Sequence, residues 1–83
     1  MDVQQEVLRV LDETLSLGGR ALRYSRDTHL MGSVPELDSM AVVTLITGLE
    51  DRFGIVVYDD DIDGDTFATV GSLVDFVGSK VAG

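Results

Sequence analysis

Three sets of apolar residues at helical spacing constrain the fold of this 83-residue chain more than any other feature. Val3, Val7, Leu8, Val10, Leu11, Leu15 and Leu17 share one wide helical face. Met40, Val43, Leu45, Ile46, Leu49 and Phe53 recur mostly at steps of three and four, and so do Val70, Leu73, Val74, Phe76, Val77 and Val81. Each set predicts a helix that must bury its stripe against the others. The punctuation agrees. Gly18-Gly19 is expected to end the first helix and Gly54 the second, in the left-handed conformation that glycine adopts without strain. Asp2 sits where a negative charge complements a helix dipole, and Asp38 and Thr69 are good N-caps.

The intervening segments lack such a period. Arg20 to Pro35 reads as a long connection pinned to the core by Leu30, Met31 and Val34. Its Arg20, Arg23 and Arg26, interleaved with Leu22 and Tyr24, read as a solvated face that pairs with the chain's own carboxylates. Ile55-Val56-Val57-Tyr58 has strand propensity but no second strand to pair with, so it is expected to be an extended linker whose apolar side chains seal the core. Asp59 to Phe67, acidic and broken by Gly64, has room for one short helix or an irregular turn. The expectation is an all-α fold and a single domain over residues 1–83: a small bundle of three main helices plus one short helix, with a long loop between helices one and two.

Composition narrows the function. With no cysteine there is no disulfide, thiolate metal site or thiol nucleophile. Asp2 and Glu6 stand where a signal peptide needs bases, and no apolar run approaches the roughly 20 residues of a membrane span. A cytoplasmic, monomeric protein is expected. The net charge of −9 argues against nucleic acid and anionic membranes as partners. It is also uneven: residues 1–35 hold five acids and four bases, residues 36–83 ten acids and two bases. Partners with basic surfaces are therefore expected, recognising Glu50, Asp51, Asp59, Asp60, Asp61, Asp63 and Asp65.

The chemistry concentrates at Pro35-Glu36-Leu37-Asp38-Ser39-Met40. Pro35 pushes Val34 toward an extended shape, Asp38 caps the second helix, and Ser39 begins it. That places one hydroxyl at the mouth of a helix. A catalytic serine fits poorly: His29 is the sole histidine, no Gly-x-Ser-x-Gly elbow surrounds Ser39, and no lysine stands three residues after it. No catalytic residue is expected, and the protein is read as a non-enzyme. Asp59, Asp61, Asp63 and Gly64 match the opening of an EF-hand calcium loop, but its twelfth position, a bidentate Glu, is Val70 here. No specific metal site is predicted. Weak divalent binding that relieves repulsion within the acidic cluster stays open.

Leu37-Asp38-Ser39-Met40, together with Leu49-Glu50-Asp51-Arg52-Phe53-Gly54-Ile55 and Phe67-Ala68-Thr69-Val70-Gly71-Ser72-Leu73, resembles the acyl carrier protein family over residues 3–81. The resemblance implies a 4'-phosphopantetheine arm on Ser39, transferred from coenzyme A by a separate phosphopantetheinyl transferase that Asp38 contacts. It implies acyl cargo held as a thioester for acyl-loading and acyl-using enzymes of lipid or related biosynthesis. The acyl chain would enter a pocket lined by Met40, Val43, Ile46, Ile62, Phe67 and Ala68, which double as core. Housekeeping carriers typically have acids where this chain has Ala41 and Thr44, which points to a specialised member. Gly48 is unusual inside a helix and would allow a neighbouring helix close approach. The alternatives are a stand-alone aminoacyl or peptidyl carrier and, in another class, an unmodified helical adaptor or calcium-binding module.

Overall fold

The computed structural model describes residues 2–30, 32–62 and 65–82. Three α-helices, α1 (Val3–Leu15), α2 (Ser39–Phe53) and α3 (Val70–Ala82), are joined through 3-10 turns at Arg20–Arg23 and Asp59–Asp61. Among the described residues the only extended pairing is an isolated antiparallel bridge between His29 and Thr69. The all-α expectation holds, and its short helix is the turn at Asp59–Asp61.

α1 packs against both α2 and α3. Its Val7 and Leu11 meet Leu45, Leu49, Val70, Leu73 and Val77 in one core, where all are at most 1 % exposed. Gly48 brings α2 close to α1: a Cβ there would lie 3.2 Å from Val10 Cγ1. Arg52 fastens the same contact from the rim, reaching Glu6 at 2.7 Å and Glu13 at 3.3 Å.

The helix ends follow from capping, with one correction. Asp2 accepts the Gln5 N–H at α1 and Gly54 closes α2 at a φ of 65°. α1, however, stops at Leu15 with Ser16 left-handed at a φ of 54°, ahead of the predicted Gly18-Gly19 stop. Asp12 is the reason. Its carbonyl accepts the Leu17 N–H at 3.0 Å, while its carboxylate accepts the Gly19 N–H at 2.8 Å and the Ala21 N–H at 3.2 Å. The chain curls around this one side chain, and the two glycines serve the curl.

The long loop is stitched to the start of α3. Leu30 N–H donates to the Ala68 carbonyl, Val70 N–H to Thr28 and Gly71 N–H to Arg26, each at 2.9 Å. Thr69 caps as predicted, through a reciprocal pair in which the Ser72 N–H donates to Thr69 Oγ1 and the Thr69 N–H to Ser72 Oγ, both at 3.1 Å. Loop carbonyls and side chains thus satisfy donors that a helix N-terminus leaves open. Leu30 and Val34 are buried as pins; Met31, the third expected pin, lies outside the described residues.

Three stripe residues are not core. Met40, Val43 and Val81 are exposed, Met40 by 76 % and Val43 by 61 %. In α2 the buried side is Leu45 and Leu49 flanked by Ala41, Val42, Ile46 and Phe53, which puts Met40 and Val43 on the opposite arc. The linker after Gly54 seals the core with alternate residues only: Ile55 and Val57 are half-buried, Val56 and Tyr58 exposed.

Candidate prosthetic-group attachment site at the start of α2

The approach to α2 is a tight turn anchored by one side chain. Leu37 N–H donates to the Val34 carbonyl at 3.0 Å and Asp38 N–H to Glu36 at 3.2 Å. Leu37 is buried, so the turn is nailed to the core one residue before the cap. Asp38 is extended, and its Oδ1 accepts the Ala41 N–H at 2.8 Å while its carbonyl accepts the Val42 N–H at 2.9 Å. Ser39 follows as the first helical residue, and it is exposed.

Arg20 clips this turn to the end of α1. Its Nε donates to the Leu17 carbonyl at 3.1 Å and its Nη2 to Glu36 Oε2 at 2.6 Å. The Arg20 hydrogen bond holds the Glu36 carboxyl below its ordinary value, and Glu36 in turn raises Arg20. Neither Arg20 nor Asp12 carries a sequence signal for these roles, because each acts on residues brought near by the curl of the chain.

The end of α2 suits an anion. The N–H groups of a helix's first residues have no intrahelical acceptor, and Asp38 takes up that of Ala41. Those of Ser39 and Met40 have no backbone acceptor among the described residues, and they sit at the positive end of the helix dipole. A phosphodiester on Ser39 Oγ therefore fits the donors present. His29 is exposed and bridges by its backbone to Thr69.

The expected acyl pocket is divided. Phe67 is buried, Ile46, Ile62 and Ala68 are half-buried, and Ile46 and Ile62 pack on the core. Met40 and Val43 stand outside, which corrects their reading as core residues. Two surface clefts of about 370 and 380 Å³ lie elsewhere, the first between α1 and the Arg20–Arg23 turn, the second over Gly48 between α1 and α2.

The acidic residues also separate. Glu50 turns inward, its Oε2 accepting the Val57 N–H at 3.0 Å. Asp61 pairs with Lys80 at 2.6 Å and accepts the Tyr58 N–H, and Lys80 first, then that N–H, lowers its carboxyl from the ordinary value. These two are engaged in holding the fold. Asp51, Asp60 and Asp65 are exposed. Asp63, Gly64 and the Asp59 side chain lie outside the described residues. Among the described residues no group of three His, Asp or Glu is placed to hold a metal ion.

The family model for the phosphopantetheine attachment site matches residues 25–77, from the loop through α2 and into α3. The solution structure of a holo acyl carrier protein from Nitrosomonas europaea is 43 % identical and superposes with a TM-score of 0.92, covering 100 % of both chains. The chain belongs to the acyl carrier protein family, whose prosthetic group is a covalently attached 4'-phosphopantetheine. It is a carrier and not an enzyme. Among the described residues no helix is long and apolar enough to cross a membrane.

Proposed function

We propose that Ser39 Oγ is the attachment point of 4'-phosphopantetheine and that this chain carries acyl groups to partner enzymes of lipid or related biosynthesis in the cytoplasm. The observation that carries this reading is the exposed Ser39 hydroxyl on the first residue of α2, capped by Asp38, inside the segment that matches the attachment family. When bound, the group supplies a terminal thiol on which an acyl chain is held as a thioester. The chain's own part is positional. Asp38 fixes the first turn, Leu37 anchors it, and the N–H groups of Ser39 and Met40 face the phosphate. The transferase supplies the base. Ala41 and Thr44 place no charge on the first turns of α2, which supports a specialised member serving a dedicated pathway.

The test is the intact mass of the protein after incubation with coenzyme A and a phosphopantetheinyl transferase. Wild type is expected to gain one arm and Ser39→Ala none. An arm on Ser39→Ala, or a wild type refused by every transferase offered, would sink the reading.

A further inference from the structure

Two knots of the backbone meet at Arg20. On the α1 side, Asp12 gathers the N–H groups of Leu17, Gly19 and Ala21, and the Leu17 carbonyl so placed accepts both the Arg20 backbone N–H at 3.2 Å and its Nε at 3.1 Å. On the α2 side, the Glu36 carbonyl accepts the Asp38 N–H at 3.2 Å, and Asp38 caps the helix that begins with Ser39. Arg20 Nη2 joins the two by donating to Glu36 Oε2 at 2.6 Å. A guanidinium is a rigid planar fork, so fixing its Nε on Leu17 also fixes where its outer N–H groups stand. The two partners are 16 residues apart in sequence, and the second lies just ahead of Ser39.

The rest of the long loop gives Ser39 no such hold. Its Arg26, Thr28 and Leu30 bond to the start of α3, and Arg26 pairs with Asp75 there as well. Hydrogen bonds from the turn at 33–38 run back to Leu30, within the turn, and on into α2. Among the described residues, the polar link from that turn to α1 is the Arg20–Glu36 bond. Leu37 anchors the turn in the core, but apolar burial is non-directional: it sets depth and not orientation.

We propose that Arg20 is a positioning residue for arm attachment: through Glu36 it orients the turn that presents Ser39 Oγ, so that the end of α1 helps to set where that oxygen stands. This rests on the reading of Ser39 as the attachment point. Arg20 acts through Glu36 and not on the reacting oxygen. Without the clip the turn samples other orientations, and transfer proceeds only from those that place Oγ for attack. The rate at saturation falls with that fraction, while KM, set by the rest of the carrier's surface, stands. Both side chains are largely in solvent, so replacing them leaves the core as it is.

The experiment measures kcat and KM separately for arm transfer from coenzyme A by a broad-specificity phosphopantetheinyl transferase. Arg20→Glu and Glu36→Arg each set like charges against one another, and each should lower kcat about two- to fivefold, the span that an exposed ion pair can couple, with KM kept. Arg20→Glu combined with Glu36→Arg restores an opposite pair and should recover most of that loss. Arg20→Lys should fall between wild type and Arg20→Glu, since an ammonium can meet Glu36 but lacks the fork that also holds Leu17. Amide exchange at Leu37 should quicken in each single variant and slow again in the double, with the Leu49 amide in α2 unchanged. The proposal is overturned if the double variant loses as much as the two single losses multiplied, or if the loss lies in KM, because the transferase then reads these side chains directly. It is also overturned if the single variants transfer at the wild-type kcat, whether or not they melt lower; a lower melting temperature alone makes the clip merely structural. A wild type that takes up no arm overturns the Ser39 reading and this proposal together.

Discussion

Ser16 closes α1 in a conformation that costs an L-residue about 1–2 kcal/mol and a glycine almost nothing. The cost is borne because Asp12 gathers the N–H groups of Leu17, Gly19 and Ala21, and the chain must reverse within those few residues to reach it. Ser16→Gly removes the strain and gives back part of the gain as unfolded-state entropy. A net stabilisation of about 0.5–1 kcal/mol is expected, raising Tm by about 2–8 °C for a domain of this size. Thermal unfolding followed by circular dichroism would read it. A fall in Tm would mean that the exposed serine side chain contributes more than its backbone loses.

At the scale of elements, the weight falls on the seam between the long loop and α3. Gly71 donates to the Arg26 carbonyl at 2.9 Å, and a Cβ on Gly71 would lie 3.1 Å from that same oxygen. The obstructing atom is backbone, held in place by the bonds on either side. Gly71→Ala should therefore destabilise by about 1–3 kcal/mol, the usual range for overpacking, despite alanine's better helix propensity. Amide exchange at Leu30, Val70 and residue 71 should speed up, while the Leu49 amide in α2 is protected as before. No single segment announces this seam, because its donors and acceptors are more than 35 residues apart in sequence, as with Leu30 and Ala68. The helices, by contrast, were legible from local signals: apolar period, the Asp38 and Thr69 caps and the Gly54 stop all lie within a few residues of what they control. The same locality made Ser39 and its cap readable. Which arc of α2 is buried was not readable, because Met40, Val42, Val43, Leu45 and Ile46 put apolar groups almost all the way round the helix. Contact with α1 through Gly48 settles the arc, and that contact is tertiary.

For the molecule as a whole, charge is the term that conditions change most readily. A net charge of −9 repels itself, and five of the six basic residues are spent on rim pairs: Arg9 with Glu6, Arg20 with Glu36, Arg26 with Asp75, Arg52 with Glu6 and Glu13, Lys80 with Asp61. Lys80 and Asp61 link the end of α3 to the Asp59–Asp61 turn, with the Lys80 ammonium also 5.3 Å from the centre of the Tyr58 ring. Because Lys80 and the Tyr58 N–H lower the Asp61 carboxyl in the folded state, its stabilisation is present above the ordinary carboxyl value of 3.8 and is lost as pH falls through the lower folded value. Asp61→Asn should therefore melt below wild type at pH 7, and the two curves should converge only in acid below that point. Asp60→Asn, at an exposed neighbouring position, tests the opposing term. It removes one negative charge from the crowded half and should melt at or slightly above wild type at pH 7. Thermal melts of the three proteins from pH 7 down to acid separate the two effects by sign. Equal gains in both variants would mean that general charge density, and not the pairing with Lys80, sets the stability of this end of the bundle.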